Sequence, residues 1–379
     1  MKRPFREHHL LSILHSFDSQ RCPLDLYLRN YFRAHKAVGA HDRRFIADTL
    51  YGVLRWRGLL DHLLGERLSW QERVALFLRL DLQAASRDPA IPSHIRVSFP
   101  KNLYLKLETA YGTERALELC LASNEAAPTT VRANLLKTSR DALLQKWAEP
   151  LGAVPCLHAS AGVSFPRKTH FFSMQEFKDG CFEVQDEASQ LIAALVEAHP
   201  GDHVLDFCAG SGGKALAVAP GMQHKGTLYL HDVRHAVLSE AKKRLRRAGV
   251  QNAVLLPADS PHKKALRHRM DWVLVDAPCS GTGTLRRNPD MKWKFHLDTL
   301  ACLVNEQRAI FQEALKYLKP FGTIVYATCS ILPEENEEQV TYFRETYKLE
   351  LVRPLFYSFP KKGGMDGFFG AVLRKASSK

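Results

Sequence analysis

The sequence has no run of about 18 apolar residues, the length a helix needs to cross a bilayer, so a membrane-spanning role is not expected. It has no Cys-x-x-Cys pair and no cluster of histidine with cysteine. Its eight cysteines, Cys22, Cys120, Cys156, Cys181, Cys208, Cys279, Cys302 and Cys329, are scattered singly. That pattern argues against structural zinc and against a disulfide framework; the thiols read as reduced, most of them packed as small hydrophobes, and no metal is expected. The dinucleotide fingerprint G-x-G-x-x-G is missing, which disfavours a nicotinamide enzyme. Repeats and low-complexity tracts are absent too. The first residues are basic, but the apolar stretch after them is broken by histidines and no small-residue cleavage site follows, so export is not expected and a cytoplasmic location is.

What is present is length and positive charge. A chain of 379 residues exceeds what one hydrophobic core usually serves, so two or three domains are expected. The net charge of +13 is concentrated: between Arg234 and Lys294 there are 14 Lys/Arg and 5 Asp/Glu, including "KKRLRR" (Lys242 to Arg247) and "HKKALRHR" (His262 to Arg269). Either run alone reads equally well as a solvated helix face. Several runs bracketing one candidate site favour a polyanion, since neutralised phosphates release counterions and give affinity without sequence information.

Residues 1–91 show apolar positions at three- and four-residue spacing, as in "DRRFIADTLYGVLRWRGLLDHLL", and read as a helical bundle. Asp42 is placed to start its third helix and Gly65 to stop it. Prolines in "SRDPAIPSH" suggest a boundary, after which residues 92–180 read as a small α+β module, with a strand and then a helix capped by Ser139 or Asp141. Over residues 181–379 strands alternate with helices: "DHVLDFCAG", "GTLYLHDV", "AVLLPAD", "DWVLVDAP" and "GTIVYATCS" are the strands, and a basic helix is expected after the third. This order predicts an α/β domain with a parallel, doubly wound, Rossmann-like sheet and ligands at the strands' carboxyl ends.

The motifs fall at those ends. In "DFCAGSGGK", three glycines between the first strand and its helix let the backbone approach a ligand closely. Asp232, Asp259 and Asp276 follow the next three strands. Any single acid there can be a turn former or helix cap. As a set they suit an adenosine cofactor, with Asp232 for ribose hydroxyls and Asp259 for an adenine amino group. Cys279 and Cys329 follow the fourth and fifth strands, which places both thiols at the cofactor's rim.

A thiol there has a specific use. Carbon 5 of cytosine is too weak a nucleophile to take a methyl group from a sulfonium, but a thiolate adding to carbon 6 makes an enamine whose carbon 5 is nucleophilic. Asp276 can hold a proton against ring nitrogen 3 and offset the charge that builds there.

The stretches "VQDEASQL", "DFCAGSGGK", "DAPCSGTGTLRRNPDMKWK", "YATCSILPEENEEQV" and "GGMDGFFGAVLRK" resemble, in order, the motifs of the Sun/Fmu-type RNA cytosine-5 methyltransferases. The helical pattern of residues 1–91 is similar to the NusB-like RNA-binding domain of the bacterial ribosomal branch. The resemblance implies an S-adenosyl-L-methionine-dependent enzyme with Cys329 as nucleophile, Cys279 aiding resolution, and the cofactor held by Cys208, Ala209, Gly210, Ser211, Gly212, Gly213, Lys214, Asp232, Asp259 and Asp276. It implies RNA as partner, ribosomal RNA ahead of transfer RNA, with a non-catalytic RNA-binding assembly factor as the alternative class and a monomer expected. The family usually has proline where this chain has Ser211, and loss of a fixed φ is expected to loosen that turn. "LRRNPDMKWK" is expected to guide an RNA strand. Trp293 is available to stack on a base, or is plain core.

Overall fold

The computed structural model describes residues 4–17, 22–66, 68–166 and 169–375. Among these, no helix is long and apolar enough to cross a membrane, and no group of His, Cys, Asp and Glu is arranged to hold a metal ion. The chain divides into two compact units, Met1–Ala126 with Thr284–Leu297, and Ala127–Gly283 with Asp298–Lys379.

The first unit is helical. The helix Ala40–Leu64 presents Ile46, Leu50, Val53 and Leu54 to Leu10, Ile13 and Leu14 of the helix Phe5–Phe17 and to Leu24 of Leu24–Ala34. Gly65 ends it at φ 62°, as expected, but its N-cap is Gly39, and Asp42 lies inside the first turn, where a negative charge also suits the helix dipole. Ser69 and Glu72 form a reciprocal capping box on the next helix, Trp70–Phe77. The helices Lys101–Tyr111 and Thr113–Ser123 belong to this unit, beyond the boundary drawn from the sequence after residue 91.

The segment Thr284–Leu297 also belongs to it, and here an expectation is corrected. Lys292 is 1% exposed; its Nζ donates to Arg55 O and to Asn124 Oδ1, both at 2.7 Å. Arg286 and Asp290 are buried as well. Trp293 Nε1 donates to Leu54 O at 2.7 Å, and the ring packs so near Gly58 that a Cβ there would come within 2.9 Å of it. Trp293 is therefore half-buried and anchored within the helical unit, and two of the four cations of the basic stretch, Arg286 and Lys292, are interior rather than free to guide RNA. A lysine or arginine stem is apolar enough to be buried wherever carbonyls meet its donors, and no local pattern distinguishes that case from a solvated face.

The second unit contains two sheets. The smaller is built from β1 (Thr129–Ala133), β2 (Val154–Pro155), β3 (Gly162–Phe165) and β4 (Phe182–Val184), antiparallel in the order β2-β3-β1-β4. The helix Arg140–Leu151 packs on it through Trp147, against Phe165 and Phe182; Ser139 is its cap, accepting from Ala142 N.

The larger sheet holds β5 (His203–Asp206), β6 (Thr227–Asp232), β7 (Ala253–Pro257), β8 (Met270–Asp276), β9 (Leu318–Thr328), β10 (Leu349–Leu351), β11 (Phe356–Ser358) and β12 (Phe368–Lys375). The strands β7, β6, β5, β8 and β9 are parallel in that order, as predicted; β12 then runs antiparallel beside β9, with β10 and β11 on its other side. Both faces are covered. Leu205, Val273, Val275, Ile324 and Tyr326 enter one core while the alternating Val204, Leu274 and Val325 enter the other, which is why these strands read as continuous apolar runs. The expected basic helix after β7 is a short 3-10 stretch, Pro261–Leu266, with His268 just beyond it in the left-handed region at φ 58°.

Candidate active site

Strand order reverses at β5, whose neighbours β6 and β8 lie on opposite sides, and the crevice beyond the carboxyl ends there is where such sheets bind ligands. A cavity of about 710 Å³ opens at that point, walled by Asp206, Cys208, Gly210, Lys214, Asp232 and Asp276 among others. Its size is within the ~300–1,000 Å³ of small-molecule sites.

The turn after β5 is shaped by left-handed glycines, Gly210 at φ 52° and Gly212 at φ 79°. Ala209, Ser211 and Gly213 also face the cavity. Gly212 does not: it packs inward, where a Cβ would stand 3.2 Å from Leu230 and 3.3 Å from Ala241. Gly210 N donates to Asp232 Oδ2 at 2.9 Å, and Arg234 donates to the same carboxylate through its backbone and guanidinium. Burial would raise the Asp232 carboxyl, but these bonds outweigh it and hold its pKa below the usual value.

Two guanidinium groups grip the turn from outside. Arg244 Nη1 donates to Ser211 O at 2.9 Å and to Ser211 Oγ at 2.7 Å, while its other nitrogens donate to the buried Glu183. Arg132 of β1, itself buried, donates to Gly213 O at 3.0 Å. The turn expected to be loose at Ser211 is thus tied by hydrogen bonds where a proline would act through φ. Arg247 also pairs with Glu183 and lies over the Phe177 ring. Half of the "KKRLRR" run is consequently structural, and Lys242, Lys243 and Arg246 are the exposed remainder.

Asp206 was not singled out from the sequence, although it satisfies the same rule as the other acids, an acid closing a strand. It is 2% exposed, and neither carboxylate oxygen finds a hydrogen-bond partner among the described residues. Burial and the neighbouring Asp276 push it up to about 7. Asp276 accepts from Lys214 Nζ at 2.5 Å. Burial works against the Lys214 ammonium, yet Asp276, Cys329 and Asp206 together hold its pKa above the ordinary value. Asp259 stands apart: its side chain is 79% exposed, it forms no part of the wall, and it meets His235 at 3.5 Å.

The two thiols come together. Cys279 Sγ lies 3.4 Å from Cys329 Sγ, just past the ends of the paired strands β8 and β9. The hydrogen bond to Cys329 and then burial push the Cys279 thiol well up, so Cys279 holds its proton. Gly283 lets its loop pass close to the backbone of Gly367 and Cys329: a Cβ on it would lie 2.0 Å from Gly367 O and 2.9 Å from Cys329 O. Burial pushes the Cys208 thiol up as well.

Two family models match the chain. The one described as 16S rRNA methyltransferase RsmB/F matches residues 193–374, and the Methyltr_RsmF/B-like, ferredoxin-like domain matches residues 99–169. The chain is similar to the ribosomal RNA small subunit methyltransferase B of Vibrio cholerae, 34% identical over 92% of this chain and 79% of the relative, and to that of Vibrio vulnificus, 32% identical over 97% and 82%. Among solved structures it resembles a methyltransferase homolog protein from Pyrococcus horikoshii, with a TM-score of 0.68 at 27% identity over 76% of this chain and all of that one. It shares its fold with NSun6 from the same organism, solved with SFG, at a TM-score of 0.66 and 20% identity over 74% and 99%.

Proposed function

The chain belongs to the RsmB/F family of S-adenosyl-L-methionine-dependent 16S rRNA methyltransferases, and from that premise we propose that it methylates carbon 5 of a cytosine in small-subunit ribosomal RNA through a covalent cysteine adduct at carbon 6. The observation that carries this reading is the pair of thiols 3.4 Å apart beside the Lys214–Asp276 pair at the rim of the cavity.

The cavity's walls fit the cofactor. Asp232 offers acceptors for ribose hydroxyls, and the unpartnered Asp206 oxygens would take an ammonium group. When bound, S-adenosyl-L-methionine supplies the methyl group. Cys329, as thiolate, bonds to carbon 6 of the base, and the displaced electron pair makes carbon 5 nucleophilic. A proton held between Asp276 and ring nitrogen 3 offsets the negative charge that gathers there, with Lys214 fixing the side chain's position. After carbon 5 is methylated, Cys279 takes its proton, the bond from carbon 6 to Cys329 Sγ breaks, and the thiolate is returned.

The pair is suited to this order. While Cys329 is free, the contact between the two sulfurs and burial keep the proton on Cys279. Once Cys329 is bonded to carbon, its sulfur no longer accepts from Cys279, and Cys279 can pass its proton to solvent and act as base. The helical unit is proposed to bind RNA in NusB-like fashion, and the enzyme to work in the cytoplasm as a monomer.

The test is to incubate the protein with methyl-labelled S-adenosyl-L-methionine and small-subunit RNA and then digest to nucleosides. Label in 5-methylcytidine, lost in Cys329→Ala, is expected. Label on a ribose, on another base, or only in transfer RNA would contradict the proposal.

A further inference from the structure

Two consecutive buried residues hold the flanks of the two cysteines, one residue to each. Glu335 is 0% exposed and has no ion-pair partner among the described residues. Its Oε1 accepts from Ser280 N at 2.8 Å and from Gln307 Nε2 at 3.0 Å, and its Oε2 accepts from Ser280 Oγ at 2.5 Å. Gln307 Nε2 donates also to Pro278 O at 3.0 Å. Both neighbours of Cys279 in the chain are thereby fixed by Glu335 and Gln307.

Asn336 does the same for Cys329. Its Oδ1 accepts from Thr328 Oγ1 at 2.6 Å and its Nδ2 donates to Ser330 O at 3.0 Å. The two loops are then tied together by Thr282 Oγ1 with Ser330 Oγ at 3.0 Å and by Gly283 N donating to Cys329 O at 2.9 Å. Behind them, Tyr326 Oη donates to Glu335 O at 2.8 Å and Gln339 Nε2 to Gln307 Oε1 at 2.8 Å. A buried carboxylate with only neutral donors is costly unless each lone pair is used, and here two of the three donors come from Ser280, in the loop that carries Cys279.

We propose that Glu335 and Asn336 are positioning residues for the reaction, Glu335 acting with Gln307 on Cys279 and Asn336 on Cys329, and that together they set the separation of the two thiols. The inference rests on the two-thiol reading above, but it concerns the distance between the sulfurs rather than their use. Without Glu335 the Ser280 amide and the Gln307 amide lose their shared acceptor, and the Cys279 loop is free to move. A reacting group displaced by about 1 Å costs on the order of 10²-fold in rate.

The sulfurs themselves can be the ruler. A disulfide requires them to approach to about 2.05 Å, so from 3.4 Å the closure needs little movement. With oxidised dithiothreitol as oxidant, the two thiols give up two electrons and two protons, and the reagent leaves as its dithiol. In the full-length protein, Glu335→Ala is expected to slow Cys279–Cys329 disulfide closure at least about tenfold and to lower kcat on the order of 10²-fold, with KM for S-adenosyl-L-methionine within about twofold. Glu335→Gln, whose amide oxygen still accepts from Ser280 N and Gln307 while the Ser280 hydroxyl turns to accept, should restore most of both. Ser280→Ala, which removes only the hydroxyl bond, should slow closure by less than Glu335→Ala does.

Disulfide closure and kcat equal to the unaltered protein in Glu335→Ala would overturn the proposal, as would unchanged closure in Ser280→Ala should Glu335→Ala not fold. A protein that closes the disulfide as expected but makes no 5-methylcytidine would refute the two-thiol function while leaving the positioning role standing.

Discussion

Asp206 shows how much a single position can carry. Its carboxyl is buried without a partner and is pushed up to about 7 by burial and by Asp276, against an unfolded value near 3.9. A folded pKa above the unfolded one means that the folded state binds the extra proton, so this residue's stabilising contribution is present below about pH 4 and is lost as pH rises towards 7. Asp206→Asn should therefore raise the stability of the cofactor-free protein at pH 8 by roughly 3 kcal/mol and leave it little changed at pH 4.5. Urea unfolding at the two pH values checks this. Equal gains at both, or none, would contradict a raised Asp206 pKa. The same substitution should weaken cofactor binding, because these oxygens are buried on that wall without a donor among the described residues.

At the scale of elements, legibility followed how far away each element's partner lies. The parallel strands β5 to β9 were readable because both of their faces are buried, which leaves near-continuous apolar runs closed by an acid or a cysteine. The insertion of β12 antiparallel to β9 was not, since nothing in "FFGAVLRK" records which strand it will pair with. Asp259 obeyed the sequence rule but lies two residues past the end of β7, where the chain has already turned into solvent. Glu335 stands inside the "YATCSILPEENEEQV" motif, yet its work depends on Ser280 and Gln307, far away in sequence, whereas the partners of Asn336, Thr328 and Ser330, lie within the motif itself. The segment Thr284–Leu297 was misread for the same reason, as the carbonyl of Arg55 and the amide of Asn124 decide that Lys292 is interior. Lys292→Ala should then destabilise the helical unit by about 2–4 kcal/mol by leaving two buried acceptors without a donor. It should not change the salt dependence of RNA binding. Thermal unfolding unchanged, together with a shallower salt slope, would put Lys292 back among the residues that bind RNA.

For the whole molecule, the net charge of +13 narrows to a smaller set of cations once those bound internally are set aside. Arg244 and Arg247 are taken by Glu183, whereas Lys242, Lys243, Arg246, Lys264, Arg267 and Arg269 are exposed. Replacing Lys242, Lys243 and Arg246 together by alanine should weaken RNA binding and make the plot of log affinity against log salt shallower by about 0.7 for each phosphate that these side chains neutralise. An unchanged slope would return that helix face to plain solvation. The central claim, that one thiol attacks and the other releases, is tested most directly by the covalent complex itself. The Cys279→Ala and Cys329→Ala proteins are incubated separately with small-subunit RNA and S-adenosyl-L-methionine and then run on a denaturing gel. Cys279→Ala should accumulate a denaturation-resistant protein–RNA band, because Cys329 still attacks but release stalls, and Cys329→Ala should give none. A band from Cys329→Ala and none from Cys279→Ala would contradict the account by reversing the two roles.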